Sequence, residues 1–400
     1  MKLKTIPQEY QNALPILKKI EQAGYEAYFV GGSVRDVLLN QPIHDVDIAT
    51  SAFPAEIKEI FPRTIDVGIE HGTVLVLDGD DKYEITTFRT ESTYQDYRRP
   101  DHVEFVRSLA EDLKRRDFTI NAFALKEDGE VIDLFDGLQD LTNQVLRAVG
   151  NPHERFHEDA LRMMRGLRFV SQLGFELEEE TFASIYENHA LLAKISVERI
   201  NIEFIKLLLG KYRNQGLKMF VETECYLYCP MLRNAGQGLL KFAELSEKQI
   251  HEEAHAWVLL LDQLQIESNS IRTFLKAWKC SNELIRTVQN VYEGLQQRKT
   301  SYFSKQLLYE LGEYQAVLVE SLLPYFNLTA DVSTVQEDYL QLPIHSLQDL
   351  AINGTILMEH FDKKPGKWLK DTLSACEQAV VAGEISNQQS QLLVFAQQFI

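Results

Sequence analysis

The chain has 400 residues, 45% of them hydrophobic and 25% charged, with a net charge of −18. That balance fits a soluble globular protein of two or three domains. It excludes a chain that coats nucleic acid over its whole surface, while leaving room for a local basic track. The N-terminus, MKLKTIPQEYQNALPILKKI, has no apolar leader, and no apolar run is long enough to span a bilayer. A cytoplasmic location without a membrane partner is expected. Cys225 and Cys229 stand four apart with no second Cys/His pair nearby, so the four cysteines read as reduced thiols rather than zinc ligands.

Residues 8–23 have helical spacing and stop at Gly24. YEAYFV (25–30) alternates as a strand, Gly31-Gly32 breaks it, and Ser33 is the expected N-cap of a short helix through VRDVLL. DVDIAT (45–50) reads as a second strand, and Pro54 opens the helix PAEIKEIF. HGTVLVLDGDDKYEITTFR (71–89) is a hairpin turning at Asp78-Gly79-Asp80-Asp81. Residues 90–102 are polar, rich in Arg and Tyr, and aperiodic, which suggests a long functional loop. Short pieces follow to VLRAVG (145–150). Beyond Asn151-Pro152 the spacing is almost wholly helical, with DALRMMRGLRFVSQLG and ERINIEFIKLLLG each stopping at a glycine. The expected fold class is α+β: a mixed-sheet head over 1–150, then helices to the end.

The strongest local signal is GGSVRDVLLNQPIHDVDIAT (31–50). Asp45 and Asp47 are two apart on the expected strand, so both side chains point to one face. Neighbouring carboxylates repel unless a cation shares them, and Mg²⁺ takes such oxygens while leaving sites for phosphate. Two such ions about 3.5–4 Å apart can activate a hydroxyl and stabilise a leaving pyrophosphate. Glu84, on KYEITTF, is the candidate third carboxylate. Backbone N–H groups at Gly31-Gly32-Ser33 can cradle phosphate, and Arg35 one turn on can meet a triphosphate oxygen. A D-x-D alone is usually a solvated face, and a Gly-Gly alone is usually a turn. The order strand, Gly-Gly-Ser, helix, D-x-D strand is far more specific.

GGSVRD followed by DVDI resembles the head of the DNA polymerase beta-like nucleotidyltransferases. More narrowly, the chain resembles class II tRNA CCA-adding enzymes and the related bacterial poly(A) polymerases. RRDFTINAFAL (115–125) and EDALRMMRGLRF (158–169) match two further motifs of that family in the right order, and INGTILM (352–358) and KPGKWL (364–369) match more loosely. The resemblance implies a nucleotidyltransferase head (1–150), a helical neck that selects the nucleotide (151–210), and a helical body and tail that bind tRNA (211–400). It implies Asp45 and Asp47 as catalytic metal ligands for Mg²⁺. It also places Gly32, Arg35, Arg116, Asp159, Arg162, Arg165 and Arg168 at the CTP and ATP site. Asp117 is left open between local capping and function, and Asn121 is expected to serve the local backbone.

In EDALRMMRGLRF, Asp159 and Arg162 are three apart and expected on one helix face, with Arg165 and Arg168 continuing the row. Taken alone, the row would be charges facing solvent above buried Leu161, Met164 and Leu167. Cytosine and adenine both set an exocyclic amine donor beside a ring-nitrogen acceptor, whereas uracil and guanine reverse that pattern. A carboxylate accepting from the amine and a guanidinium donating to the ring nitrogen would suit C and A and leave mismatched groups against U and G. With the family resemblance, Asp159 and Arg162 become a protein template.

The nearest rival is a poly(A) polymerase. Those relatives usually carry an arginine-rich run before the hairpin, where this chain has RTIDVGIEHGTVLV (63–76) with one arginine. An enzyme adding only CC tends to have a shortened loop where RTESTYQDYRRPDHVEF (89–105) is full length. A non-enzymatic RNA-binding protein would be signalled by loss of Asp45 or Asp47, and both are present. His251 and His255 lack a following Asp, so no HD phosphohydrolase is expected. Arg98–Arg99, Lys114–Arg115–Arg116, Lys211/Arg213/Lys218 and Lys363/Lys364/Lys367/Lys370 are candidate basic patches, the last as a clamp on tRNA phosphates. Oligomeric state cannot be read from the residues, and a homodimer stays open.

Overall fold

The computed structural model describes residues 1–91, 94–95, 99–100, 103–246 and 248–400. It divides into two compact units, Met1–Ala243 and Glu244–Ile400. The boundaries expected at 150 and 210 both lie within the first unit.

The head opens with helix α1 (Gln8–Gln22) and strand β1 (Ala27–Val30), then α2 (Gly32–Leu38), β2 (Asp47–Thr50) and α3 (Pro54–Ile60). Strands β3 (Thr64–Gly68), β4 (Thr73–Asp78) and β5 (Asp81–Thr87) follow. Asp78 pairs with Asp81 across the expected hairpin turn. Short pieces β6 (Arg89–Glu91), β7 (Tyr94–Gln95), β8 (Arg99–Pro100) and β9 (Val103–Phe105) pair as β6–β9 and β7–β8. Helix α4 (Leu109–Lys114), β10 (Phe123–Leu125), β11 (Val131–Asp133) and α5 (Gly137–Asn143) complete the head. The main sheet has seven strands in the order β11-β10-β1-β2-β5-β4-β3. Every pair is antiparallel except β2 with β5, so the sheet is mixed as expected.

Strand alternation covers the sheet on both faces. Ala27, Phe29, Ile48 and Ile85 meet Tyr10, Ile16, Leu17 and Ile20 of α1 in the larger core. Val30, Ala49 and Ala124 point the other way, towards Phe88 and Leu113. Asp47 shares the second face, two residues before Ala49 at the start of β2.

Two local expectations are corrected here. Strand β2 begins at Asp47, not Asp45. Its pairing with β1 ends at Phe29↔Ile48, because β1 leaves the sheet at Gly31. Asp45 therefore lies in the preceding loop, and the two-residue alternation does not govern it. The N-cap of α2 is Gly31, with φ 77°, while the Ser33 hydroxyl donates to the Val30 carbonyl at 3.2 Å. A positive φ favours glycine, and a Cβ at Gly31 would lie 3.2 Å from Arg116 Nη1 and 3.6 Å from Asp47 Oδ2. The turn needs its glycine for both reasons.

Beyond β12 (Val145–Leu146), helices take over. They are α6 (Pro152–Glu158), α7 (Leu161–Leu173), α8 (Glu179–Asn188), α9 (Val197–Leu208), α10 (Arg213–Glu222) and α11 (Gly236–Ala243), with β13 (Glu176–Leu177) beside β12. The second unit is helical throughout its described residues, from Glu253–Gln263 to Gln389–Ala396. No helix is long and apolar enough to cross a membrane among the described residues.

Candidate functional site

In the first unit, the start of α2, the start of β2, the segment after α4, helix α7 and the first turn of α9 line a cavity of about 810 Å³. Its wall contains Gly32, Arg35, Asp47, Arg116, Asp159, Arg162, Arg165 and Arg168. Asp45 does not line it and is exposed in its loop. Every other residue expected at the site is brought to one place, although they come from segments more than a hundred positions apart.

The acidic end is built by register. Asp47 on β2 pairs directly with Glu84 on the parallel neighbour β5, so the two carboxylates stand side by side on one face. Burial by the surrounding protein raises the Asp47 carboxyl above its usual pKa. Arg116 opposes the shift, and Glu84 and Asp45 add to it. Among the described residues no three His, Cys, Asp or Glu side chains form a metal-holding group. Mg²⁺ is commonly held by one or two carboxylates and completed by substrate phosphates and water. Two adjacent carboxylates that repel each other beside a nucleotide-sized cavity fit such an ion.

The basic wall is held by a set of carboxylates behind it. Asp112 on α4 is buried; Oδ1 accepts from Arg115 Nη2 at 2.8 Å and Oδ2 from Arg116 Nη2 at 3.2 Å. Arg162 donates to Glu158 at 2.6 Å and to the Arg115 carbonyl at 2.8 Å. Arg168 pairs with buried Glu203 of α9 at 2.9 Å. Burial pushes the Arg168 guanidinium down to about 10, against the pull of Glu203, so it stays charged at neutral pH. Arg35, Arg165 and Arg168 all stand over the Phe169 ring, with Arg168 nearest at 4.2 Å from its centroid. A cation over an aromatic face is attracted by the ring quadrupole. These arginines therefore line one cavity together and are not a row of unpartnered surface charges.

Asp117 and Asn121 are more than local caps. Asn121 Oδ1 accepts from Arg35 Nη1 at 2.6 Å, and its amide donates to Asp117 Oδ1 at 3.2 Å. Asp117 Oδ2 accepts from Arg165 Nε at 2.8 Å. The pair thus joins α2 to α7 through side chains, which the expectation of a backbone role for Asn121 missed. Burial alone would raise the Asp117 carboxyl, but Arg165 and Asn121 pull it well below the usual range. A carboxylate so depressed stabilises the fold fully above its unfolded pKa of about 3.9 and loses that contribution as pH falls through the folded value. Asp117→Asn is therefore expected to cost about 2–3 kcal/mol at neutral pH, below the full value of a buried pair because Arg165 stays partly exposed. In urea denaturation followed across pH, the gap to wild type should narrow only below about pH 4. A gap that did not change with pH would contradict the charge assignment.

Asp159 requires a correction. It is not on the helix of Arg162: α6 ends at Glu158, and Asp159 is extended at φ −136°, ψ 103°. Its Oδ1 captures the Leu161 N–H at 3.0 Å, as short polar side chains do at helix starts. Its Oδ2 accepts from Arg199 Nη2 of α9 at 2.7 Å. Asp159 thus holds the first N–H of the helix that carries Arg162 from outside it, and both reach the cavity by a break rather than by a shared face.

Sequence reasoning missed Arg199, Asp112 and Glu203. For α9 a signal existed: Arg199 and Glu203 are four apart in a helix whose Ile200, Phe204 and Leu207 are buried, so the charges flank a packed stripe. Other expectations also moved. Arg213 is buried over Phe242, so it belongs to no surface patch. Arg98 and the Arg99 side chain lie outside the described residues. Cys225 and Cys229 are buried free thiols whose pKa burial raises.

Comparison with known protein families matches three successive segments of the chain. The poly A polymerase head domain model matches residues 27–147. The probable RNA and SrmB-binding site of polymerase A matches 174–235, and tRNA nucleotidyltransferase domain 2 matches 248–396. The chain is 61% identical over 396 residues to the CCA-adding enzyme of Enterococcus faecalis, covering 99% of this chain and 98% of that one. It is 50% identical over 400 residues to the CCA-adding enzyme of Ligilactobacillus salivarius, covering 100% and 99%. A crystal structure of the Bacillus stearothermophilus CCA-adding enzyme in complex with CTP superposes with a TM-score of 0.90 at 40% identity, covering 98% of both chains.

Proposed function

Since the chain belongs to the CCA-adding enzyme family of tRNA nucleotidyltransferases, we propose that it adds and repairs the 3′-terminal CCA of tRNA, using CTP and ATP without a nucleic-acid template and releasing pyrophosphate. The observation that carries this reading is that one cavity wall holds both Asp47 and the pair Asp159 and Arg162. The relative of known structure binds CTP by its own description.

The tRNA 3′-hydroxyl attacks the α-phosphate of the bound nucleotide, and the oxygen bridging to the β-phosphate leaves with pyrophosphate. Two Mg²⁺ ions shared by Asp47, Glu84 and Asp45 would lower the cost of charge on the attacking and leaving oxygens. Arg116, held by Asp112 beside Gly31 and Asp47, meets the sugar or phosphates. Gly32 and Arg35 take the triphosphate at the start of α2, with Arg35 aimed by Asn121. Arg165 and Arg168, fixed by Asp117 and Glu203, add positive charge along the wall. Asp159 accepts from the exocyclic amine of C or A, and Arg162 donates to the ring nitrogen. Catalysis then consists mainly of positioning and charge stabilisation, which is what phosphoryl-type transfer asks of a protein.

The division of labour in this reading assigns 1–150 to catalysis, 151–210 to nucleotide selection and 211–400 to tRNA. Lys363, Lys364, Lys367 and Lys370 are exposed and available to phosphates. The protein acts in the cytoplasm, where tRNA is.

The test is extension of tRNA lacking its 3′ end. With Mg²⁺ the protein should incorporate CTP and then ATP, and neither UTP nor GTP. Extension of unstructured RNA with A alone at a similar rate would replace this reading with a poly(A) polymerase.

A further inference from the structure

Arg116, Arg162, Arg165 and Arg168 on the cavity wall are each held by a carboxylate, whereas at Asp159 the relation is inverted. Here the carboxylate is the proposed reading group and an arginine holds it. Asp159 sits where the chain breaks between α6 and α7, so no helix fixes its side chain. Two contacts pin it. Leu161 N–H reaches Oδ1 at 3.0 Å and Arg199 Nη2 reaches Oδ2 at 2.7 Å. The backbone contact alone would leave the carboxylate free to turn about its own axis. The second contact, from a different helix, fixes the plane.

Arg199 is suited to that task. It sits in the first turn of α9, which is anchored by buried Ile200, Phe204, Leu207 and Leu208 and tied to α7 by the Glu203–Arg168 pair. Its side chain is 28% exposed, and it lines the same cavity as Arg162. Its other terminal nitrogen, Nη1, is buried and makes no hydrogen bond among the described residues. A buried unpaired donor is costly, so the guanidinium is not placed there to satisfy the fold alone. Its position is explained if holding Asp159 is its function.

We propose that Arg199 is a positioning residue for base selection: it fixes the plane of the Asp159 carboxylate so that a free lone pair meets the exocyclic amine of cytosine or adenine. The proposal rests on the reading of Asp159 as the amine acceptor. Hydrogen-bond readout discriminates only when its groups cannot turn away from a mismatch. A loosened carboxylate could swing aside from the carbonyl oxygen of uracil or guanine. Arg199 thus acts through Asp159 and need not touch the nucleotide.

The test is a double-mutant cycle on full-length protein, read as the ratio of kcat/KM for CTP to that for UTP on tRNA lacking its 3′ end. Arg199→Ala is expected to lower the ratio about tenfold, mostly through a higher KM for CTP. Arg199→Lys, which keeps one charged donor, should recover part of it. In an Asp159→Ala background, Arg199→Ala should produce no further loss. A wild-type ratio in Arg199→Ala, or equal losses in both backgrounds, would overturn the proposal. If Arg199→Ala does not fold, Arg199→Lys carries the test, and an unchanged ratio and KM in that variant would count against the idea. If Asp159→Ala alone leaves the ratio intact, it is the template reading that fails. If Asp159→Ala collapses the ratio and Arg199→Ala does not, only the Arg199 assignment fails.

Discussion

Asp47→Asn is expected to lower kcat for CTP incorporation by about 10³-fold or more, equivalent to roughly 4 kcal/mol of transition-state stabilisation. The size follows from its place. Of the three acidic residues that act on one another, Asp47 alone lines the cavity, and it stands in register beside Glu84. Removing its charge takes away the anchor for the cation proposed to offset charge on the attacking and leaving oxygens. CTP affinity should fall only a few-fold, because Arg35, Arg116, Arg165 and Arg168 remain. The fold should suffer little: the carboxyl is desolvated by the surrounding protein and repelled by Glu84 and Asp45, with only Arg116 opposing, so a neutral Asn relieves strain in the protein without ligand. Single-turnover extension, with thermal denaturation run alongside, checks both parts. A kcat near wild type would sink the metal assignment. Glu84→Gln, at the directly paired position on β5, should show a smaller loss of the same kind.

The head was legible because alternation and turns are local. Phe29 and Val30 point to opposite cores, as period-two reading requires, and the turn at Gly79-Asp80 follows from its residues. What escaped were places where a side chain competes with the backbone. Asp159 took the Leu161 N–H and ended a helix that apolar spacing carried straight through. Asp45 fell outside β2 because β1 departs at Gly31, a fact of sheet partnership that spacing within one strand does not contain. The residues expected at the site, Asp45 excepted, do line the cavity and were legible as a set through motifs, but their support was not. Asp112, Glu203 and Arg199 work by contacts across 4, 35 and 40 positions or more, and only the folded chain shows which charge meets which. Asn121 illustrates the difference: its sequence neighbours suggest a cap, while its partners in space are Arg35 and Asp117.

These supports bear directly on base choice, where Asp159→Asn should have its largest effect. The variant keeps size and shape, and its amide oxygen can still accept from the Leu161 N–H. It loses the charge that pairs with Arg199, and it gains an NH₂ donor. A carboxylate offers only acceptors, so the O4 of uracil or the O6 of guanine meets repulsion there, at a cost of about 1–3 kcal/mol or more. Released from Arg199, the amide can either keep its oxygen on the Leu161 N–H and present its donor to those oxygens, or turn and present its acceptor to the amines of C and A, so it serves both classes. The preference for CTP over UTP is therefore expected to fall about 10²-fold, with UTP incorporation rising as well as CTP incorporation declining. Arg162 continues to favour a ring-nitrogen acceptor, which is why selection should weaken and not vanish. The outcome separates this residue from Asp47: there every nucleotide should lose rate alike, whereas here the rate on the best substrate should survive and its identity should blur. Competition assays with mixed CTP and UTP, read by sequencing the extended 3′ ends, measure the ratio directly. A ratio equal to wild type would mean that selection lies with Arg162 or elsewhere on the wall, and that Asp159 serves only to tie the start of α7 to Arg199 of α9.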